Sequence, residues 1–232
     1  MIISHKYQFI FLKTRKTAGT SLEISLSRYC GDGDILTPVK PEDEKIRDQL
    51  GEQPQNYEKP PEETGLKEKV KQIVAGEEPK KFYNHIPAEE VKEKVDDDIW
   101  NSYYKFCFER NPWDKAISAY YYMMGTTHKG KDMSFDDFLR KLDIFEGRVY
   151  NYPIYSINGE VAVDFIGKYE TLEEDLNKVC REVGIPFDGW LPNAKGKFRK
   201  DKVPYQQQYT NEQKDRIQEY FKKEIDLLGY EF

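Results

Sequence analysis

The chain has 232 residues, which suits one large domain, or at most two small ones, with a buried core. Charged residues make up 34%, but aromatics reach 14%, which excludes wholesale disorder, and no apolar run approaches the roughly 20 residues of a membrane span. The net charge of -6 argues against broad nucleic-acid binding and still allows a local basic pocket.

Tyr7 to Leu12 (YQFIFL) is a β-rich run and predicts a buried strand. No cleavage-site pattern follows it, so no signal peptide is expected. A polar loop runs from Lys13 to Gly19. A helix is expected from Thr20, carrying Leu22, Ile24 and Leu26 and ending before Gly31. Strand, tight loop and helix in this order open an α/β fold.

Residues 37–81 read as an exposed, charged, Pro-rich insertion with short helices such as Leu66 to Val74. Pro87 to Val95 predicts a helix with Glu89 and Glu90 in its first turn. Tyr103 to Phe108 (YYKFCF) predicts a second strand. It leads into Asn111 as cap and Pro112 as the start of a helix running to about Met124. Ser134 caps another helix that reaches Leu142. Tyr155–Ile157, Asn158-Gly159 and Glu160–Tyr169 predict a hairpin with a type I′ turn. Thr171 with Glu174, and Thr210 with Gln213, form two capping-box patterns. The first opens a helix ending at Gly184, the second a helix running to Leu228 with Gly229 as its stop. Between them lies a basic loop, Lys195 to Lys202 (KGKFRKDK).

Cys30, Cys107 and Cys180 lie far apart, with no CxxC pair. They predict buried thiols in a reducing, cytoplasmic setting, with neither a disulfide framework nor a zinc site. Only three histidines, His5, His85 and His128, are candidates for proton transfer near neutral pH.

The loop KTRKTAGTS, Lys13 to Ser21, joins a strand to a helix start. Free N–H groups and the helix dipole favour an anion there. Thr17, Thr20 and Ser21 add hydroxyls, Ala18 and Gly19 give room, and Lys13, Arg15 and Lys16 add positive charge. A Walker A motif would place its lysine where Thr20 stands, so this is not one. Taken alone, the composition fits an ordinary strand-to-helix loop equally well. Arg110 stands just past the second strand, at the end where α/β sheets collect ligands, and Ser118 lies eight residues on. Two such corners suit a ligand with two separated phosphates. The plain alternative makes Arg110 a salt-bridge partner and Ser118 a packing residue.

These segments resemble the sulfotransferase family. KTRKTAGTS is similar to its 5′-phosphosulfate loop, commonly PKTGGTS. FCFERNPWDKAISAYYYM is similar to its 3′-phosphate segment, in which seven residues separate an Arg and a Ser, as they separate Arg110 and Ser118. DFIGKYETLEEDLNKVCREVGI resembles the family's strand and helix, often DFIGRYENLEEDF, and the C-terminal stretch from Tyr209 is also similar. The resemblance covers about residues 1–30 and 82–232 and leaves out 37–81. Arg15 departs from the pattern, since it stands where proline usually stiffens the turn.

The resemblance implies a P-loop-NTPase-like single domain with a central parallel sheet flanked by helices. It implies transfer of a sulfuryl group from 3′-phosphoadenylyl sulfate (PAPS) to an acceptor hydroxyl, possibly on a saccharide, with PAP as product and no metal. Arg15, Lys16, Thr17, Ala18, Gly19, Thr20, Ser21, Arg110 and Ser118 would bind the donor. Lys197 and Arg199 of the basic loop are further candidates, although a solvated charge run is an equal reading. Lys16 would stabilise the leaving oxygen and His85, 25 residues before Arg110, would act as base. Glu109 and Asp164 are the reserve bases. The competing readings are a P-loop nucleotide kinase, which lacks its Walker lysine here, and a non-catalytic nucleotide- or glycan-binding module.

Overall fold

The structure is a computed structural model that describes residues 1–58, 81–126, 133–192 and 203–232. Its strands are β1 (Ile2–Ser4), β2 (Phe9–Phe11), β3 (Ile35–Leu36), β4 (Tyr104–Glu109), β5 (Ser156–Ile157), β6 (Glu160–Val161) and β7 (Phe165–Lys168). Five of them form one sheet in the order β3-β1-β2-β4-β7. β2, β4 and β7 are parallel, whereas β1 and β3 are antiparallel additions at one edge. The expected parallel sheet is therefore a mixed one. The cause is a tight turn before β2, with Gln8 at φ 50°, which folds Ile2–Ser4 back as a hairpin partner. Asp34 anchors that turn by accepting from the Ser4 hydroxyl at 2.8 Å and the His5 N–H at 2.6 Å.

Strand alternation divides the core between the two faces of the sheet. Phe9, Phe11, Phe106 and Phe108 pack on one face with Leu22, Leu26, Leu176 and Val179. Ile3, Ile10, Leu12 and Cys107 pack on the other with Phe82, Ile86, Val91 and Trp100. Each such ring or branched chain contributes about 1.5–3 kcal/mol on burial. Gly167 faces Phe108 across the β4–β7 register, and a Cβ there would lie 2.4 Å from the Phe108 ring. The glycine leaves the room that the Phe108 ring occupies beside the neighbouring strand.

Helix α1 (Gly19–Ser27) follows β2 as expected, and α2 (Pro41–Asp48) comes next. Residues 37–58 are not simply an exposed insertion. Asp43 is buried and Arg47 fully so, with Arg47 Nη1 donating to the Thr37 carbonyl at 3.2 Å. Arg47 turns inward because Glu23, buried on α1, lies 3.9 Å from its Nη2, a partnership no local pattern reveals. Leu66 to Val74 lies outside the described residues.

Helices α3 (Ala88–Lys94) and α4 (Asp97–Ser102) precede β4. Helix α5 (Pro112–Thr126) begins where expected, with Asn111 Oδ1 accepting from the Trp113 N–H at 3.1 Å. Helix α6 (Phe135–Arg140) keeps its Ser134 cap. The short α7 (Glu146–Val149) and α8 (Tyr152–Tyr155) follow. Asn158 and Gly159 take the positive φ values of a type I′ turn, 52° and 80°. The second arm of that hairpin ends at Val161, and Phe165–Lys168 instead joins the main sheet beside β4.

Helix α9 (Leu172–Val183) forms, but Thr171 does not cap it. A 3-10 turn over Tyr169–Thr171 takes Thr171 out of the extended cap conformation, and its hydroxyl bonds Asp175 at 2.8 Å. The second capping box does form, at the head of α10 (Asn211–Tyr220). The single helix expected beyond it breaks at Phe221 and resumes as α11 (Lys222–Leu228), stopped by Gly229 at φ 63°. The break accompanies burial of both Phe221 and Glu224. A third cluster of Trp113, Met123, Phe138, Ile217 and Phe221 joins α5, α6 and α10 beside the sheet.

Candidate functional site

Adjacent parallel strands deliver the two candidate corners to one place. β2 and β4 run side by side, and the Leu12 N–H still bonds the Phe106 carbonyl at 2.9 Å as the strands end. Ligands of α/β sheets collect beyond such carboxyl ends. A cavity of about 360 Å³ lies there, within the range of about 300–1,000 Å³ typical of small-molecule sites.

The loop after β2 forms one wall. Lys16 and Ala18 both hold left-handed backbone, at φ 64° and 59°. Each costs roughly 1–2 kcal/mol outside glycine, so tertiary contacts must enforce them. The Arg15 N–H donates to Asn151 Oδ1 at 2.8 Å, and Asn151 Nδ2 donates to the Arg15 carbonyl at 3.1 Å. The Thr14 hydroxyl donates to the Phe108 carbonyl at the end of β4. Left-handed residues in such a turn point successive N–H groups into a common concavity that suits an anion. Helix α1 starts at Gly19, and Ala18 supplies no side-chain cap, so the N–H groups of the first turn and the dipole add to that concavity. A Cβ on Gly19 would lie 2.8 Å from Lys13 Cγ and 3.2 Å from the Thr14 carbonyl, which explains the glycine.

Arg15, Lys16, Ala18, Gly19, Thr20 and Ser21 all line the cavity. Thr17 is brought to the loop but not to the wall. It is fully buried, and its hydroxyl lies 2.8 Å from that of Thr14 rather than facing a ligand. Lys13 lines the cavity as well, and its ammonium pairs with buried Glu23. Burial opposes ionisation of Glu23, but Lys13, the Met1 amine and Arg47 outweigh it and bring its pKa down to about 2. Lys16 Nζ rests 4.1 Å from the centre of the Tyr122 ring, and Lys40 Nζ lies 4.7 Å from the same ring.

The second corner follows β4. Arg110 lines the cavity and is 8% exposed. It pairs with Asp114 at 2.5 Å, stacks 4.1 Å from the Tyr169 ring centre, and donates from Nη1 to the Lys16 carbonyl at 3.2 Å. Ser118, on α5, lines the same cavity. Both the expected corner and the salt bridge of the plain alternative are therefore present.

His85 lines the cavity too, at a left-handed φ of 62°. Its Nδ1 lies 2.8 Å from the Lys13 carbonyl oxygen. A carbonyl only accepts, so Nδ1 carries the proton and Nε2 keeps its lone pair. Burial first, then repulsion from Lys13 and Arg15, lower the pKa to about 3. The imidazole is thus neutral over the whole ordinary pH range.

The reserve bases are placed elsewhere. Glu109 is fully buried and bonded to Lys115 at 3.0 Å, and Asp164 pairs with Lys105 at 2.9 Å away from the cavity wall. Burial and the nearby Glu224 raise the Glu109 pKa against the pull of Lys115. His5 is exposed and sits 2.8 Å from the Tyr103 hydroxyl. Lys197, Arg199 and His128 lie outside the described residues. Among the described residues, no group of three or more His, Cys, Asp or Glu is placed to hold a metal ion, and no helix is long and apolar enough to cross a membrane. Cys30, Cys107 and Cys180 are unpaired thiols.

Sequence reasoning missed Asn151, Tyr122 as a cation platform, Tyr169 and Arg148. Tyr169 directly follows β7 in the segment that resembles the family, a signal that was available. Asn151 has no local signature.

Comparison with known proteins places the chain among relatives of known family. An uncharacterised protein of Archaeoglobus fulgidus is 39% identical over 104 residues, covering 44% of this chain and 84% of that protein. Human carbohydrate sulfotransferase 14 is 32% identical over 145 residues, and the zebrafish protein of that name 28% over 134. Those matches cover 51% and 45% of this chain but only 37% and 35% of the relatives' own lengths. No solved structure matches the chain. A family profile, Sulfotransferase family, matches residues 1–231. With the loop after β2 and the Arg110–Ser118 corner sharing one cavity, and a profile match over nearly every residue, this chain belongs to the Sulfotransferase family.

Proposed function

We propose that the protein transfers a sulfuryl group from PAPS to a hydroxyl of a carbohydrate-type acceptor. The observation that carries this reading is that His85, Lys16 and Arg110 line one cavity. The names of the sulfotransferase relatives support the acceptor class.

The N–H groups at the α1 start, with Thr20 and Ser21, hold the donor's 5′-phosphosulfate. Arg110 and Ser118 hold its 3′-phosphate, and the Arg110 fork suits a phosphate better than a single ammonium would. His85 Nε2 accepts the acceptor's hydroxyl proton as that oxygen bonds to sulfur and the bond from sulfur to the bridging oxygen breaks. Lys16 moves from the Tyr122 ring face toward the bridging oxygen, where negative charge develops. Two phosphates beside Lys13 and Arg15 offset the repulsion those cations exert on an imidazolium. The proton affinity of His85 therefore rises when the donor binds, as the transfer requires. Such chemistry is mainly positioning and charge stabilisation.

A transfer screen with sulfur-labelled PAPS against saccharides, phenols, lipids and peptides tests the reading. Label on a saccharide hydroxyl is expected. Transfer to none of the four classes, together with no binding of PAP, would overturn it.

A further inference from the structure

Asn151 is fully buried behind the loop that follows β2. Its side chain meets both backbone groups of one loop residue, accepting from the Arg15 N–H at 2.8 Å and donating to the Arg15 carbonyl at 3.1 Å. The same Nδ2 lies 3.3 Å from Glu109 Oε2. Glu109 Oε2 also accepts the Arg110 N–H at 3.1 Å and the Lys115 ammonium at 3.0 Å. The Asn151 N–H is held in turn by Glu224 Oε1 at 2.9 Å. One buried carboxylate therefore meets the loop wall through Asn151 and the Arg110 corner through its backbone.

We propose that Asn151 is a positioning residue that clamps Arg15 and, through Glu109, sets the phosphosulfate loop at a fixed place relative to the Arg110 corner. The inference rests on the donor reading given above, because it is the spacing of two phosphate groups that the clamp would match. A side-chain amide suits the task. It offers a donor and an acceptor side by side, and it is neutral, whereas an aspartate would set a further carboxylate against Glu109 and Glu224. The clamp also accounts for Arg15. A proline before the loop lysine stiffens the turn and has no N–H to satisfy. Arg15 brings an N–H into a partly buried place, and Asn151 both pairs it and restores the stiffness. The left-handed residues Lys16 and Ala18, which follow directly, need such an external hold.

The experiment uses the whole chain as wild type, Asn151→Ala, Arg15→Pro and the double variant, with Arg15→Ala controlling for loss of the guanidinium. PAP affinity is measured by calorimetry and local order by amide hydrogen exchange. Asn151→Ala is expected to weaken PAP binding about tenfold or more, the scale of a lost buried hydrogen bond, and to speed exchange at residues 13–19 more than in β4. In the Arg15→Pro background, where the N–H is gone but the carbonyl remains, the same substitution should weaken PAP by clearly less than in wild type. Asn151→Gln keeps the amide but displaces it by one methylene. It should still fold, with a lowered melting temperature, and should lose PAP affinity, which covers the case of an alanine variant that does not fold. The proposal is overturned by unchanged PAP affinity and loop exchange in the Asn151 variants. Equal losses in the two Arg15 backgrounds, or exchange that rises evenly through the chain, overturn it as well. If wild type itself fails to bind PAP, the donor reading falls separately. Loop exchange then decides the clamp, and unchanged exchange in Asn151→Ala ends it.

Discussion

Arg110 Nη1 donates to the Lys16 carbonyl oxygen at 3.2 Å, so the two anion corners are joined by a direct bond. The same guanidinium bonds Asp114 and stacks on Tyr169. On the proposed donor reading, Arg110 would act on the nucleotide in two ways, by contact with the 3′-phosphate and by holding the loop through Lys16.

Arg110→Ala should weaken PAP binding by about 2 kcal/mol or more, the scale of a lost charge-assisted bond. AMP, which lacks the 3′-phosphate, should lose less, and its smaller loss measures the contact with Lys16. Calorimetry with both ligands checks this. Equal losses for PAP and AMP would remove Arg110 from the 3′-phosphate.

Ala18 and Gly19 should respond in opposite directions. Ala18→Gly removes a left-handed penalty of roughly 1–2 kcal/mol and adds unfolded-chain freedom worth about 0.4–1, so a net gain of about 0.5–1 kcal/mol is expected. Gly19→Ala puts a Cβ against Lys13 and the Thr14 carbonyl, so it should lower both stability and PAP affinity. Melting curves and calorimetry on the pair decide. A destabilised Ala18→Gly protein would contradict the backbone conformation described for the loop.

Lys115 sits between Glu109 and Glu224 with none of the three exposed to solvent. Removing the lysine leaves two buried carboxylates facing one another. Lys115→Met should cost about 3–5 kcal/mol, or roughly 10 °C in melting temperature for a chain of this size. A Lys115→Met protein that melts like wild type would show that the carboxylates find other partners.

The parts of the site legible in sequence are those whose residues carry their own local signal. The helix start at Gly19 and the strand before Arg110 each announce a corner through small residues, caps and β-rich runs. What stayed hidden depends on long-range pairing. Asn151 meets Arg15 across 136 positions, and Arg47 turns inward toward Glu23 on another helix. The edge strands are short, and Ile2-Ile3 alone does not declare a hairpin. The Thr171 pattern misled because a 3-10 turn, fixed by tertiary context, changed the backbone where a cap would form.

His85 gives the sharpest test, because its geometry fixes both its tautomer and its titration. With Nδ1–H held by the Lys13 carbonyl, Nε2 is the only ring atom able to take a proton. The pKa falls from 6.5 to about 3 in the folded protein. Below pH 6.5 the unfolded chain gains a proton that the folded chain does not, so stability is full above 6.5 and declines as pH drops toward 3. At pH 4.5 the loss from this residue amounts to at most about 2–3 kcal/mol. His85→Asn should remove that part of the acid sensitivity. Asparagine is the suitable replacement because it tolerates the left-handed φ of 62° and its amide can still donate to Lys13. The variant should fold, bind PAP, melt less steeply with falling pH than wild type, and lose about 10²-fold or more in rate. In wild type, kcat/KM for PAPS reports the free protein, so His85 should leave it level from pH 5 to 8. On the proposed reading, an acid limb from His85 is expected in kcat, where the phosphates of a bound donor would raise its pKa. A stable, fully active His85→Asn protein would end the assignment of this histidine as the base.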